Sequence, residues 1–318
     1  MTNTSSKIQH RILFSIVLIA ALVGSYYWWP SVWAGPLVAA DRMASGLTLH
    51  ERSIDGRTYV FSQKPGNPVV LMLHGFAGSQ DQWNAFVRAL PPDLGVIALD
   101  MPGFGQSTAL PQDSFGIAAQ GDRVLAFMRD LGLSQVHLVG SSMGGHVAAY
   151  IAASEPQRVR TLTMIEPHGV ATAVQTEFDH FIRRTGRSPL IARSGDEFAQ
   201  IVDRIFVNRP FIPGPVYKRL ERSAIYNSSF DVRVWNDVQK EAAALAALMS
   251  RVTAPTLLIW GDSQKIFHTT AIQVLQSVRP NLKAVVLKNA GHLAMMEQPD
   301  ETAAAFTTFI HGGPAADQ

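Results

Sequence analysis

No cysteine occurs anywhere in the 318 residues. That absence excludes disulfides, thiolate nucleophiles, zinc–thiolate sites and iron–sulfur clusters, though it leaves the compartment open. Charge is scarce as well. Only 16% of residues are Asp, Glu, Lys or Arg, and the net charge is +2 with histidines neutral, so no strongly charged partner is implied. There is no run of Lys and Arg and no stripe of basic and aromatic residues, which argues against nucleic acid as a partner. His, Asp and Glu fall in no cluster with metal-ligand spacing, and no glycine-rich fingerprint opens a βαβ unit. The sequence therefore asks for no metal and no cofactor. Internal repeats and low-complexity tracts are also missing. What is plentiful is apolar: 47% of the chain, enough for a large buried core and too much for a disordered polymer. At about 150 residues per domain, the length allows two domains or one α/β domain with an insertion.

The longest uncharged run is Ile12 to Trp29, ILFSIVLIAALVGSYYWW. As a helix it would span roughly 27 Å, close to the hydrocarbon thickness of a bilayer. Tyr26, Tyr27, Trp28, Trp29 and Trp33 gather at its far end, where an interfacial aromatic belt sits, and Pro30 is expected to stop the helix. Lys7 and Arg11 precede the run, and no charge follows until Asp41. These features predict a cytoplasmic tail over 1–11, a membrane anchor over 12–33 and the remaining chain on the extracytoplasmic side, the periplasm in a Gram-negative cell. The alternative is a cleaved signal peptide ending at Val32-Trp33-Ala34, against which stand the length of the run and its bulky aromatics.

Beyond the anchor the pattern alternates. Leu47–Ile54 and Arg57–Ser62 read as strands around the turn Asp55-Gly56. Val69–Leu73, Gly95–Leu99, Val136–Gly140 and Thr161–Ile165 read as apolar buried strands, with helical spacing at Trp83–Leu90, Ile117–Leu131 and Gly144–Ser154 between or after them. From about His168 to Arg251 short apolar strands disappear, and arginines and the turn-rich RPFIPGP take over. After Pro255 the alternation resumes with strands Thr256–Trp260 and Lys283–Leu287 and helices Thr269–Val278 and Glu301–Ile310. This is the signature of a mostly parallel sheet with helices on both faces. The division expected is a core of 47–167 and 252–311 and a helical cap insertion of 168–251.

The chemistry is concentrated at strand ends. Gly140-Ser141-Ser142-Met143-Gly144-Gly145 follows the apolar HLV and precedes the helical HVAAYIAA, a G-x-S-x-G elbow in strand–turn–helix context. Such a turn lifts a serine Oγ above the sheet and leaves room for backbone amides beside it. A serine hydroxyl needs a base. His292, in Asn289-Ala290-Gly291-His292, directly follows the last predicted strand and lies far downstream of Ser142, the chain order expected of such a pair. His74-Gly75-Phe76-Ala77-Gly78 follows VVLML, so the Phe76 and Met143 N–H groups are the expected oxyanion donors. His74 is assigned no proton transfer, and Asp100 and Asp81 are read as structural.

Taken together, LMLHGFAGSQDQW, ALDMPGFGQST, LVGSSMGG, LLIWGD and NAGHLAMMEQP resemble the α/β-hydrolase family. Within it the chain is most similar to the membrane-anchored monoacylglycerol lipase group and its bacterial lipase relatives. The likeness covers roughly 57–165 and 252–311 and is weak across the insertion. It implies an eight-stranded, mostly parallel sheet with a cap after strand six, and hydrolysis of carboxylic esters, monoacylglycerol or similar lipid esters. The family's acid normally stands at the fourth position of G-x-x-D after the seventh strand. Here that position holds Gln264. Two replacements are visible: Asp262, two residues early, and Glu166, at the end of the sixth strand, where certain haloalkane dehalogenases carry theirs. The expectation is a displaced triad of Ser142, Glu166 and His292. The alternatives are attack on carbon–carbon bonds or small non-lipid esters, or a non-catalytic ligand-binding relative, for which Gln264 speaks. The cap's Phe178, Phe181, Phe198, Ile201, Phe206, Phe211 and Tyr217 are candidates for an acyl pocket.

Overall fold

The computed structural model describes residues 29–312 apart from 173 and 243, together with 11, 12, 14–17, 20, 21 and 23–26. Eight strands form one sheet in the order β1-β2-β4-β3-β5-β6-β7-β8. They are β1 (Thr48–Ile54), β2 (Arg57–Lys64), β3 (Val69–Leu73), β4 (Gly95–Leu99), β5 (Val136–Ser141), β6 (Val159–Ile165), β7 (Thr256–Gly261) and β8 (Lys283–Leu287). β1, β2 and β4 pair antiparallel, and every pairing from β4 through β8 is parallel. The expected eight-stranded, mostly parallel sheet is the one observed.

The reason lies in the period of two along each inner strand. Leu71, Leu73, Ile97, Leu99, Leu138, Met164, Leu258 and Trp260 point into one core, while Val70, Met72, Val96, Ala98, Val139, Ile165, Leu257 and Ile259 point into the other. Both faces of a parallel sheet must be covered, so continuous apolar runs such as VVLML belong to it. The first core is closed by helices at Ile117–Asp130, Met143–Ser154 and Thr270–Val278, the second by those at Asn84–Ala89 and Pro299–Ile310. Since β3 to β8 run in the same direction, their carboxyl ends share an edge. His74, Asp100, Ser142 and Glu166 each come directly after a strand on that edge. Between β6 and β7 the chain forms the helices Glu177–Thr185, Gly195–Ile205, Gly214–Tyr226, Ser228–Gln239 and Leu245–Met249.

One element was not expected. Pro30 opens a helix, Pro30–Ala44, after the non-helical Trp29, so residues 30–33 begin an element that runs on to Ala44. Proline at the first helical position loses nothing, because its missing N–H would have no partner there and its φ is already helical. This helix is pinned to the core by Arg42 on Asp81 (2.7 Å), Asn84 on Asp41 (2.8 Å) and Arg88 on Asp41 (2.7 Å). The anchor expected over 12–33 falls partly outside the described residues, and the tail of 1–11 almost wholly so. No helix of the described residues is long and apolar enough to cross a membrane.

Candidate active site

Ser142 sits between β5 and the helix Met143–Ser154 with φ 54° and ψ −118°, a conformation L side chains rarely adopt. Three glycines make the bend possible. A Cβ on Gly140 would lie 2.2 Å from the Gly144 carbonyl oxygen, and one on Gly144 would lie 2.3 Å and 2.4 Å from the carbonyl oxygens of Leu73 and His74. A Cβ on Gly75 would come 3.2 Å from the Ser142 Cβ. The backbone locks the turn from below: Ser142 N–H donates to Ile165 O at 2.9 Å, and His168 N–H donates to Ser142 O at 3.0 Å. Gly144→Ala is therefore expected to cost about 1–3 kcal/mol as the turn shifts to relieve the overlap. A drop in Tm accompanied by slower ester turnover would show it, and unchanged values of both would refute this reading of the turn.

Glu166 directly follows β6, fully buried, with φ 48°. Its Oε1 accepts the Gly261 N–H at 2.7 Å, and its Oε2 takes the Nδ1–H of His292 at 2.9 Å. Both carboxylate oxygens thus face donors. Burial pushes the Glu166 carboxyl well above its usual range, and the Gly261 amide works against it. Burial also pushes the His292 imidazole down to about 4, leaving it neutral at pH 7. A neutral ring with Nδ1–H on a carboxylate presents a free Nε2 lone pair, the state a general base requires.

The structure brings Glu166 and His292 together and leaves the other acid candidate aside. Asp262 is exposed, and its Oδ1 accepts from Ser263 Oγ and Asn289 N–H, both at 2.7 Å. It caps the loop after β7 and makes no contact with the imidazole. Gln264, at the position where an acid was expected, accepts the Ile266 and Phe267 N–H groups, both at 2.9 Å. It shapes the loop that carries Phe267, whose ring lies 5.3 Å from that of His292. Phe267 also lines a cleft with Ser142, Phe76, Met143, His168, Trp235 and others. Phe267 thus borders both the cleft over Ser142 and the imidazole of His292. Met143 is the first residue of its helix, so its N–H has no partner within the helix.

His74 is buried and holds the turn: its Nδ1–H donates to Gly75 O at 2.7 Å, and its Nε2 accepts Met101 N–H at 3.0 Å. Asp100 accepts from Gln80 N, Gln80 Nε2 and Gln106 N, a structural hub under the same edge. Of the cap candidates, Phe178 lines the cleft, whereas Phe198, Phe206 and Tyr217 pack with Val202 in a separate cluster and Phe211 is exposed. None of those four lines the cleft over the serine.

Four residues escaped the sequence reading. Glu297 accepts N–H bonds from Gly291 (2.9 Å), Val207 (3.0 Å) and Asn208 (2.7 Å), strapping the His292 loop to the cap. His292 N–H itself donates to Ile205 O at 2.9 Å. Trp235 and Val238 line the cleft from the helix Ser228–Gln239. Asp231 stands on the same buried row of that helix, its carboxyl without a hydrogen-bond partner among the described residues, and burial raises that carboxyl to about 7. Only the motif NAGHLAMMEQP carried a hint of Glu297, and nothing local distinguished Asp231 from the acids of a solvated face.

A family model of the α/β-hydrolase fold matches residues 68–299. The chain belongs to the α/β-hydrolase family. The monoacylglycerol lipase abhd6-B of Xenopus laevis is 30% identical to it over 94% of this chain and 89% of that one. Lipase 1 of Psychrobacter immobilis is 25% identical over 85% and 84%. Among solved structures, a membrane phospholipase A described as a bacterial virulence factor superposes with a TM-score of 0.86 at 32% identity, covering 96% of this chain and 98% of that one. The fold and these relatives support a lipase or esterase, and the membrane-associated relatives are consistent with a membrane location. They do not favour carbon–carbon bond cleavage or a non-catalytic relative.

Proposed function

We propose that this α/β-hydrolase cleaves carboxylic esters of lipids, monoacylglycerol first among them, through an acyl-enzyme on Ser142. The observation that carries the reading is the buried Glu166–His292 pair at 2.9 Å, set at the strand edge that also bears the strained serine. Ser142 Oγ attacks the ester carbonyl as His292 Nε2 takes its proton. The Phe76 and Met143 N–H groups receive the developing oxyanion, each such donor being worth roughly 2.7–4 kcal/mol. Glu166 keeps Nδ1 protonated and balances the imidazolium. His292 then protonates the departing alcohol, and water repeats the sequence on the acyl-enzyme.

Residues 168–251 act as a cap in this proposal, over a core of 47–167 and 252–311. The cleft above Ser142 has only about 10 Å³ of free space, room for one water at most. A lipid ester therefore enters only when the cap helices bearing Phe178, Trp235 and Val238 part from the core. Residues 12–33 are proposed to hold the enzyme at the membrane, with the catalytic unit on the extracytoplasmic side. Exposed Ile12, Phe14, Ile16, Val17 and Val23 support this reading. The alkyl fluorophosphonate test is direct: the probe is expected to label Ser142 stoichiometrically and to leave Ser142→Ala unlabelled. Labelling that persists in the alanine variant, or none in the intact chain at any concentration, would exclude the mechanism.

A further inference from the structure

A second cavity, near the surface, is remote from the cleft over Ser142. It lies between the helix Pro30–Ala44 and the cap helix Gly214–Tyr226, has a volume of about 290 Å³, and is lined by Pro30, Ser31, Ala34 and Gly35 on one side and by Pro215, Lys218, Arg219 and Arg222 on the other. The spacing 215, 218, 219, 222 is one stripe of a helix, so three cations look into the same space. The opposite wall is made of small residues. Nothing lies within 4 Å of where a Gly35 Cβ would sit, so that wall leaves room for a ligand.

Two of the cations are not neutralised locally. Lys218 is engaged by Glu221 at 2.7 Å. Arg219 lies within electrostatic reach of Asp81, but that carboxylate is already held by Arg42 at 2.7 Å. Arg222 has no hydrogen-bond or ion-pair partner among the described residues. The surroundings are apolar and open: Trp29 and Val32 stand exposed at the end of the helix that carries Pro30, and Phe211 is 90% exposed just ahead of the helix that carries the cations. An exposed tryptophan beside arginines on an otherwise apolar rim is the composition of a membrane–water interface.

We propose that this groove is a headgroup site for an anionic phospholipid, the phosphodiester held by Arg219 and Arg222 with Lys218 at the edge. Guanidinium groups suit the task because their planar forks match phosphate oxygens two at a time. The exposed apolar residues 12, 14, 16, 17 and 23 precede in sequence the helix that forms one wall, so a lipid seated against that helix has its phosphate within reach of the groove. The site is independent of ester hydrolysis. It places the cap, rather than the core, against the lipid surface, and the segment leading from this cap helix back to Ile205 is the one strapped to the His292 loop.

The test uses the full chain in nonionic detergent micelles, titrated with a short-chain ether-linked phosphatidylglycerol that no esterase can cleave. Ether-linked phosphatidylcholine and inorganic phosphate serve as the other two arms. The melting temperature reports binding. Phosphatidylglycerol is expected to raise it in a saturable way that weakens with added salt, with a far smaller rise from phosphatidylcholine and none from phosphate. Arg219→Ala with Arg222→Ala is expected to weaken phosphatidylglycerol binding about 30-fold, while turnover of a soluble p-nitrophenyl ester stays unchanged. Equal shifts from both lipids, an equal shift from phosphate, or an undiminished shift in the double variant would each overturn the proposal. So would a double variant that merely converts a dimer to a monomer with no lipid dependence, since the groove would then be a contact between copies.

Discussion

Replacing Glu166 by glutamine is expected to lower kcat/KM for a p-nitrophenyl ester by about 10⁴-fold, while Asp262→Asn changes it only a few-fold. The asymmetry follows from donor counting. Glu166 faces two N–H donors, that of Gly261 at 2.7 Å and that of His292 Nδ1 at 2.9 Å, and offers an acceptor oxygen to each. A carboxamide has one acceptor oxygen and one NH₂. Whichever way the substituted side chain is turned, its NH₂ meets a donor. The ring escapes the conflict by moving its proton from Nδ1 to Nε2, and an Nε2 that carries a proton cannot accept one from Ser142. Asp262 uses one oxygen to accept from Ser263 and Asn289, and the asparagine carbonyl can do the same. A second readout separates loss of the acid from simple misfolding. Burial already pulls the imidazole down to about 4. Removing the adjacent negative charge pulls it lower still, so the acid limb of the residual activity moves to lower pH. Activity surviving in Glu166→Gln and lost in Asp262→Asn would put the acid after β7 instead.

Most of the scaffold was legible because its signals are local. β3, β4 and β8 fall where their apolar runs predict, and the elbow was readable from glycines whose side-chain-free surface the bend requires. The ring–carboxylate pairing was open to a subtler argument. With Gln264 at the expected position, an acid at the end of the neighbouring buried strand was the residue able to face the imidazole. The helix that begins at Pro30 was missed because proline both ends a helix and begins one, and only the chain that follows shows the second. Glu297, Asp231 and the cap stripe of Lys218, Arg219 and Arg222 were not legible, because each acquires meaning from a distant segment. Glu297 matters because Val207 and Asn208 come to it across 90 and 89 residues. Phe198, Phe206, Phe211 and Tyr217 missed the cleft for the same reason. Helical spacing says which residues are inward, but not whether inward means the cleft or the cap's own core.

The fold is expected to lose stability steeply as pH falls from 6.5 towards 4, and buried histidines are the cause. Burial lowers His137 to about 4, His146 to about 3 and His168 to about 4. Each is nearly sealed from solvent, and none has a carboxylate to hold a proton: His137 meets Thr161 Oγ at 2.8 Å, and His146 and His168 face each other at 3.4 Å. In the unfolded chain all three take up protons near 6.5. Between 6.5 and their folded values, the unfolded state therefore binds more protons than the folded one, and stability rises with pH and is lost as pH falls. Asp231 works in the opposite sense. Its carboxyl, raised to about 7, adds stability that is present below its unfolded value near 3.8 and is lost as pH rises towards 7. His292 and Glu166 are shifted by burial in opposite senses and offset one another. Among these groups, three histidines against one aspartate leave an excess of about two protons on the unfolded chain over roughly two pH units, a loss on the order of 5 kcal/mol, to which His74, lowered by burial, adds and which Asp81 and Glu297, raised by burial, reduce. That is comparable with the whole stability of many domains. Tm measured by circular dichroism from pH 7.5 down to 4 should fall continuously through this window. His137→Gln, whose amide can still reach Thr161, should flatten the fall by about one proton's worth of slope. A Tm that stays level or climbs across the same window would mean that these imidazoles find solvent or counter-charges in the folded state after all.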